Sequence, residues 1–155
     1  MTALAFLAQS SPLASEVSTT LTVGAPVAYE VFTDNVEIPR WLPIIQKAQI
    51  LTRRIDGRAG KVSFIRNLER GSLGYTLDYD YNPTELSVVW STPTSSSVML
   101  TGEARFVPLS NRACLMLYRL VIELPIVDDL ITSELDKHPA SRVVAEFREH
   151  LRRLC

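Results

Sequence analysis

The stretch Val127–Leu154, VDDLITSELDKHPASRVVAEFREHLRRL, has helical periodicity and follows a long run of residues that alternate like antiparallel strands. In its second part Ala140, Val143, Val144, Phe147, Leu151 and Leu154 recur at three- and four-residue spacing and define one apolar face. Arg142/Glu146 and Glu149/Arg153 are opposite charges four residues apart on the other side, a solvated face. A proline inside a helix removes a hydrogen bond and kinks it. His138-Pro139 therefore divides the segment into a short helix from Val127 and a longer one from Pro139, a joint where a lid could hinge. A sheet of seven strands is roughly 30 Å wide at about 4.8 Å per strand, whereas a helix is only about 10–12 Å across. If the sheet curls around the helix, either side chains fill the remaining hollow or a cavity stays open, and the strand residues below favour a cavity.

Composition bounds the rest. At 155 residues, 46% of them hydrophobic, the chain suits one folded domain, read as residues 16–155 behind a loosely held arm at 1–15. A net charge of −1 carries no polybasic signature, which argues against nucleic acid or an anionic membrane as partner. Met1–Ala8 (MTALAFLA) is apolar, but no Lys or Arg precedes the apolar run and it is too short to span a bilayer. No stable membrane insertion and a cytoplasmic location are expected, with Ala3–Ala8 a mild reason to expect a homodimer contact. Of the two cysteines, Cys114 sits in a strand pattern and Cys155 is the last residue. A disulfide framework is not indicated, and Cys114 reads as a small buried hydrophobe before it reads as a nucleophile. His138 and His150 have no second metal-type residue at ligand spacing, so no metal and no cofactor are expected.

Along the chain, Glu16–Val23 alternates and is rich in β-branched residues, a strand ended by Gly24-Ala25-Pro26. A short helix runs to about Thr33 with Val27, Val31 and Phe32 near one face. A second, Val36 to Trp41, ends before Pro43. Strands are predicted over Ile45–Arg54, Lys61–Leu68, Ser72–Tyr81, Glu85–Ser91, Val98–Val107 and Arg112–Leu124, joined by turns at Asp56-Gly57, Gly60, Gly71, Asn82-Pro83, Thr92-Pro93 and Pro108–Asn111.

Alternation splits each strand into two faces. Ser72–Tyr81 divides most cleanly: Leu73, Tyr75, Leu77, Tyr79 and Tyr81 on one face, Ser72, Gly74, Thr76, Asp78 and Asp80 on the other. Val62, Phe64 and Leu68 share a face with Arg66; Leu86, Val88 and Trp90 share another, as do Leu100, Gly102, Ala104 and Phe106, and Cys114, Met116, Tyr118, Leu120 and Ile122. The inner surface is thus apolar and aromatic with a few polar tips, the usual lining of a small-molecule pocket. A core role with backbone-bonded hydroxyls is the commoner fate of any single tyrosine. Arg66 on an apolar face needs a carboxylate elsewhere, rim solvent reached by snorkelling, or an acidic or carbonyl-bearing ligand.

The segments Ala25-Pro26-Val27-Ala28-Tyr29-Glu30-Val31-Phe32-Thr33-Asp34 and Pro39-Arg40-Trp41-Leu42-Pro43, with Leu86–Trp90 and Gly102–Pro108 (G-x-x-x-F-x-P), resemble the signature of the START-like (SRPBCC, birch-pollen-allergen-like) superfamily, most of all its polyketide cyclase/dehydrase and coenzyme-Q-binding-like branch. The resemblance covers roughly residues 16–154. It implies an α+β helix-grip fold, in which a seven-stranded curled antiparallel sheet wraps around a long C-terminal helix and two short helices lie between strands 1 and 2. It also implies a hydrophobic cavity entered near those helices. Members carry lipids, quinones, sterols or plant hormones, and a minority are aromatase/cyclases. The ligand contacts expected here are Trp41, Phe64, Arg66, Tyr75, Tyr79, Trp90, Met116, Tyr118, Val144 and Phe147. No catalytic constellation assembles, so binding of a small hydrophobic or amphipathic molecule leads. A cyclase using Arg66, Tyr75, Tyr79 and Tyr118 for proton transfer is the alternative, and a protein-interaction domain with an incidental cavity stays open.

Overall fold

The computed structural model describes residues 13–93, 99–123 and 139–155. Alternating apolar residues make seven strands: β1 (Leu13–Leu21), β2 (Ile45–Ile50), β3 (Lys61–Asn67), β4 (Ser72–Asn82), β5 (Ser87–Ser91), β6 (Met99–Ser110) and β7 (Ala113–Glu123). They form one curled antiparallel sheet in the order β1-β7-β6-β5-β4-β3-β2. Strands β2 to β7 are a meander, and β1 pairs with the far edge of it, Leu21 opposite Cys114 and Val17 opposite Tyr118. Between β1 and β2 lie helix α1 (Ala25–Phe32), a 3-10 turn (Asn35–Glu37) and helix α2 (Ile38–Trp41). Helix α3 (Pro139–Leu154) packs against β1, β7 and α2. This is the α+β arrangement expected.

Register brings the inner-face residues together, because residues directly opposite share a face. Tyr75 stands opposite Phe64, Tyr79 opposite Trp90, Ala104 opposite Tyr118 and Phe106 opposite Met116. The sheet bends at bulges between Ile45 and Lys47 and between Pro108 and Ser110. Pro108 cannot donate to the ladder, and a bulge accommodates it. β6 therefore runs on to Ser110, through the expected turn.

Other boundaries shift for local reasons. Leu13–Ser15, assigned to the arm, pair with β7. β2 stops at Ile50, and beyond it Arg53 bridges Ala59 around a turn with Gly57 at φ 89°. β5 opens at Ser87 because Leu86 has φ 52°, a left-handed conformation no strand uses. Helix α1 buries Ala25, Ala28, Tyr29 and Phe32, spaced i, i+3, i+4, i+7, so the expected face through Val27 is corrected: Val27 is 49% exposed. Two alanines on the buried face let the helix sit close to the sheet. Pro139 opens α3, where its missing N–H costs nothing. Ala140, Val144, Phe147 and Leu151 are buried, while Leu154 in the last turn is exposed. Glu149 pairs with both Arg152 and Arg153. The helix expected from Val127 and its joint at His138 lie outside the described residues.

Candidate functional site

Phe32, at the end of α1, is the hub of the interior. Its ring lies 5.1 Å from Phe147 at 89°, 5.7 Å from Phe106, 5.9 Å from Trp90, 6.0 Å from Trp41 and 6.3 Å from Tyr118. The pairs with Phe147 and Tyr118 are edge to face, and such aromatic pairs add about 0.5–1.5 kcal/mol each beyond area burial. Met116 and Val144 are buried in the same core. Side chains thus fill much of the hollow between sheet and helix.

A cavity remains beside this cluster. Its volume is about 80 Å³, and together with its mouth to solvent the hollow spans about 610 Å³. Phe32, Asn35, Ile38, Trp41, Leu42 and Ile45 line it from the two short helices and the start of β2. Phe64, Arg66, Tyr75, Leu77, Tyr79, Trp90, Leu100, Tyr118 and Leu120 line it from the sheet, and Val143 from α3. That volume exceeds the ~10–15 Å³ one water needs, but falls below the ~300–1,000 Å³ of a pocket for a drug-sized ligand. Of the ten expected contacts, Trp41, Phe64, Arg66, Tyr75, Tyr79, Trp90 and Tyr118 line the cavity. Met116, Val144 and Phe147 are buried in the same core and are not among the described residues that line it.

Polar atoms are few and converge. The hydroxyls of Tyr29 and Tyr81 have backbone acceptors, Ser87 O at 3.2 Å and Ala59 O at 2.7 Å. The hydroxyls of Tyr75, Tyr79 and Tyr118 meet no hydrogen-bond partner among the described residues, and neither does the buried Trp41 Nε1. Burial pushes the Tyr75 phenol up to about 12, with Arg66 pulling the other way. Burial raises Tyr79 well above the usual phenol range, and Tyr75, Tyr81 and Tyr118 add to it. Tyr118 is raised by burial and by Tyr75, again against Arg66. All three are neutral phenols at physiological pH, able to donate a hydrogen bond and unsuited to act as bases. Arg66 is half-buried and lines the same cavity, and its charge opposes the rise of the Tyr75 and Tyr118 phenols. The described lining holds no carboxylate, histidine or thiol.

A second polar group braces the side of the short helices. Asn35 is 3% exposed and donates from Nδ2 to Tyr81 Oη at 2.9 Å. Arg58, on the β2–β3 connection, lies over the rings of Tyr29 and Tyr81 at 5.3 and 5.4 Å. It donates to Glu30 Oε1 at 2.8 Å and Thr33 Oγ1 at 3.0 Å, which ties that connection to α1. Phe32 and Asn35 were the lining residues hardest to see in the sequence, since only the α1 face through Ala25, Ala28 and Tyr29 points to Phe32. Leu77, Leu100 and Leu120 were visible as same-face neighbours of the tyrosines.

Elsewhere, Cys114 is buried and its thiol is raised by that burial, as an inert core cysteine is. Among the described residues no three His, Cys, Asp or Glu side chains come together, and no helix is long and apolar enough to cross a membrane.

The sequence matches no family profile and no curated protein. Solved structures do match. A START superfamily protein from Mycobacterium smegmatis is 18% identical, over 92% of this chain and 99% of that one, with a TM-score of 0.78. The Zhui aromatase/cyclase from Streptomyces sp. R1128 is 16% identical, over 93% and 96%, with a TM-score of 0.74. Norcoclaurine synthase from Thalictrum flavum, solved with dopamine and hydroxybenzaldehyde, is 10% identical, over 94% and 90%, with a TM-score of 0.67. At such identities the likeness is one of fold, and with the strand order and the closing helix it is decisive: the chain has the START-like, helix-grip fold.

Proposed function

We propose that this protein binds a small apolar or amphipathic molecule whose polar end carries an acceptor oxygen, a carbonyl or a carboxylate. One observation carries this: three phenol hydroxyls and an indole N–H without partners among the described residues belong to the lining of one apolar cavity, beside an arginine. Each can donate, and the described lining offers no anion to hold a cationic group. A buried N–H left unmet, as Trp41 Nε1 is, costs about 1–3 kcal/mol, so an acceptor oxygen that meets it and the phenol hydroxyls gains specificity over a hydrocarbon of the same shape. A bound molecule of more than a few heavy atoms requires lining side chains to move, given the cavity volume. Trp41, Phe64, Arg66, Tyr75, Tyr79, Trp90 and Tyr118 are its contacts in this proposal.

Native mass spectrometry of freshly purified protein tests the proposal by showing a co-purified mass. A thermal-shift screen tests it again, since a ligand at one hundred times its Kd stabilises by about 2.7 kcal/mol. No adduct, together with no stabilisation by any carbonyl- or carboxylate-bearing apolar compound, rejects it.

An aromatase/cyclase-like enzyme is the second reading, favoured by Arg66 beside Tyr75 and Tyr118. Arg66 would steady an enolate oxygen, and the neutral phenols would donate hydrogen bonds to it. Turnover of a linear poly-β-ketone mimic that drops in Arg66→Ala and Tyr79→Phe supports it. No turnover, or turnover that both variants leave unchanged, removes it.

A further inference from the structure

Glycine inside a strand weakens it, so Gly102 in the middle of β6 calls for a cause. Its backbone does not need a left-handed conformation, as Gly57 and Gly71 do. The cause is across the sheet. Gly102 pairs with Trp90 of β5, and the indole lies down on the glycine. A Cβ at position 102 would stand 2.1 Å from Trp90 Cε2, 2.2 Å from Nε1 and 2.3 Å from Cζ2, overlaps that no small adjustment relieves.

Trp90 cannot slide along the sheet to escape. Tyr118 and Tyr79 flank it at 5.6 and 6.1 Å, and Phe32 stands 5.9 Å away. An indole is flat and rigid, with no flexible end to give way. Lifted off Gly102, it would take its volume from the cavity it already lines. In a cavity of about 80 Å³, even a small displacement is a large fraction of the space.

We propose that Gly102 and Trp90 together are the size gauge of the cavity: the glycine lets the indole lie low, and the bulk of the indole sets how long an occupant fits. The gauge rests on the binding function proposed above.

The test uses a series of straight-chain methyl ketones of increasing length, titrated calorimetrically into the protein and three variants, with Tm recorded for each. Gly102→Ala is expected to lower the Tm, to weaken the ketone preferred by the wild type by about tenfold or more, and to move the optimum to shorter chains. Trp90→Ala is expected to move the optimum to longer chains and to bind benzene, as dry apolar cavities do. The double variant Gly102→Ala/Trp90→Ala is expected to behave as Trp90→Ala and to escape the Tm loss that Gly102→Ala adds in the wild-type background, because the new methyl then meets nothing. Gly102→Ala with unchanged Tm and chain-length preference overturns the gauge, as does a Tm loss from Gly102→Ala that is equal with and without Trp90. Wild-type protein that takes no ketone of any length defeats the binding function instead, and the Tm pair and benzene uptake still decide the gauge.

Discussion

The two sides of the hollow between sheet and helix are both aromatic, and they differ in what their rings carry. Around Phe106 and Phe147 the rings pack at 59° to each other and at 59° and 89° to Phe32, which also borders the cavity, with Met116 and Val144 buried in the same core. Around Tyr75, Tyr79 and Tyr118 a cavity remains. Hydrocarbon rings can close on one another with nothing left over. Phenols cannot, because closing the space would strand their hydroxyls against carbon, whereas a hollow leaves room for water or for a ligand oxygen. The fold supplies one hollow, and side-chain chemistry decides which part of it stays open.

The largest effect should come from the closed side. Phe147→Ala removes the ring at its centre and is expected to cost about 3–5 kcal/mol, read from urea unfolding with an unchanged m-value. A loss under about 1 kcal/mol would mean the cluster is no more tightly packed than the cavity wall.

Next come paired tyrosines that differ only in their hydroxyl's surroundings. Tyr81→Phe gives up the bonds to Ala59 O and from Asn35 Nδ2 and is expected to cost about 1–3 kcal/mol. Tyr79→Phe and Tyr118→Phe give up none among the described residues, so their unliganded stability should stay within about 0.5 kcal/mol of the wild type. The same two variants should bind a carbonyl-bearing ligand more weakly. Equal losses in all three would erase the distinction between bonded and cavity-facing phenols.

An alkaline titration probes the same phenols. Their folded-state pKa values lie above the ordinary 10, Tyr75 at about 12, chiefly through burial. Their stabilisation is therefore complete below pH 10 and declines as the pH rises toward and past 12, because the unfolded chain releases these protons first. Absorbance at 295 nm should show some tyrosines ionising only as the protein unfolds. Normal titration of all five would contradict an enclosed trio.

The smallest effect is expected at the outer edge of the closed side, where His150 stacks on Trp41 at 6.4 Å. Burial lowers its pKa, and Arg153 and Arg40 act with burial against Glu37. A depressed histidine favours the neutral form in the folded state, so its contribution is present above pH 6.5 and is lost as the pH falls below that. Replacing it, as in His150→Gln, should flatten the decline of Tm between pH 7 and pH 5. A slope that the variant leaves unchanged would assign the acid sensitivity to other groups.

How much of this was legible differs from element to element. Ser72–Tyr81 alternates so strictly that its inner face, its partner faces and the clustering of tyrosines could be read directly, and α3 announced Ala140, Val144, Phe147 and Leu151 by spacing alone. Helix α1 was harder, since eight residues give too few turns to separate the face through Val27 from the face through Ala28 and Phe32. Periodicity also says which face a residue occupies but not how deep in a curled sheet it sits. Met116, Val144 and Phe147 show this: they share the inner faces of their elements with the lining residues, yet are not among the described residues that border the cavity.

By itself, the sequence determined the alternation of each strand, the meander of β2 to β7, the apolar face of the closing helix and the apolar, phenol-bearing character of the interior. These are local properties, written in the spacing of neighbours. Tertiary structure alone decided that β1 seals the far edge against β7, that Asn35 reaches Tyr81, that Trp90 lies on Gly102 and that a cavity of about 80 Å³ remains beside the aromatic cluster. Such a remainder is a small difference between the volume a curled sheet encloses and the volume its close-packed side chains occupy, and no single segment encodes it.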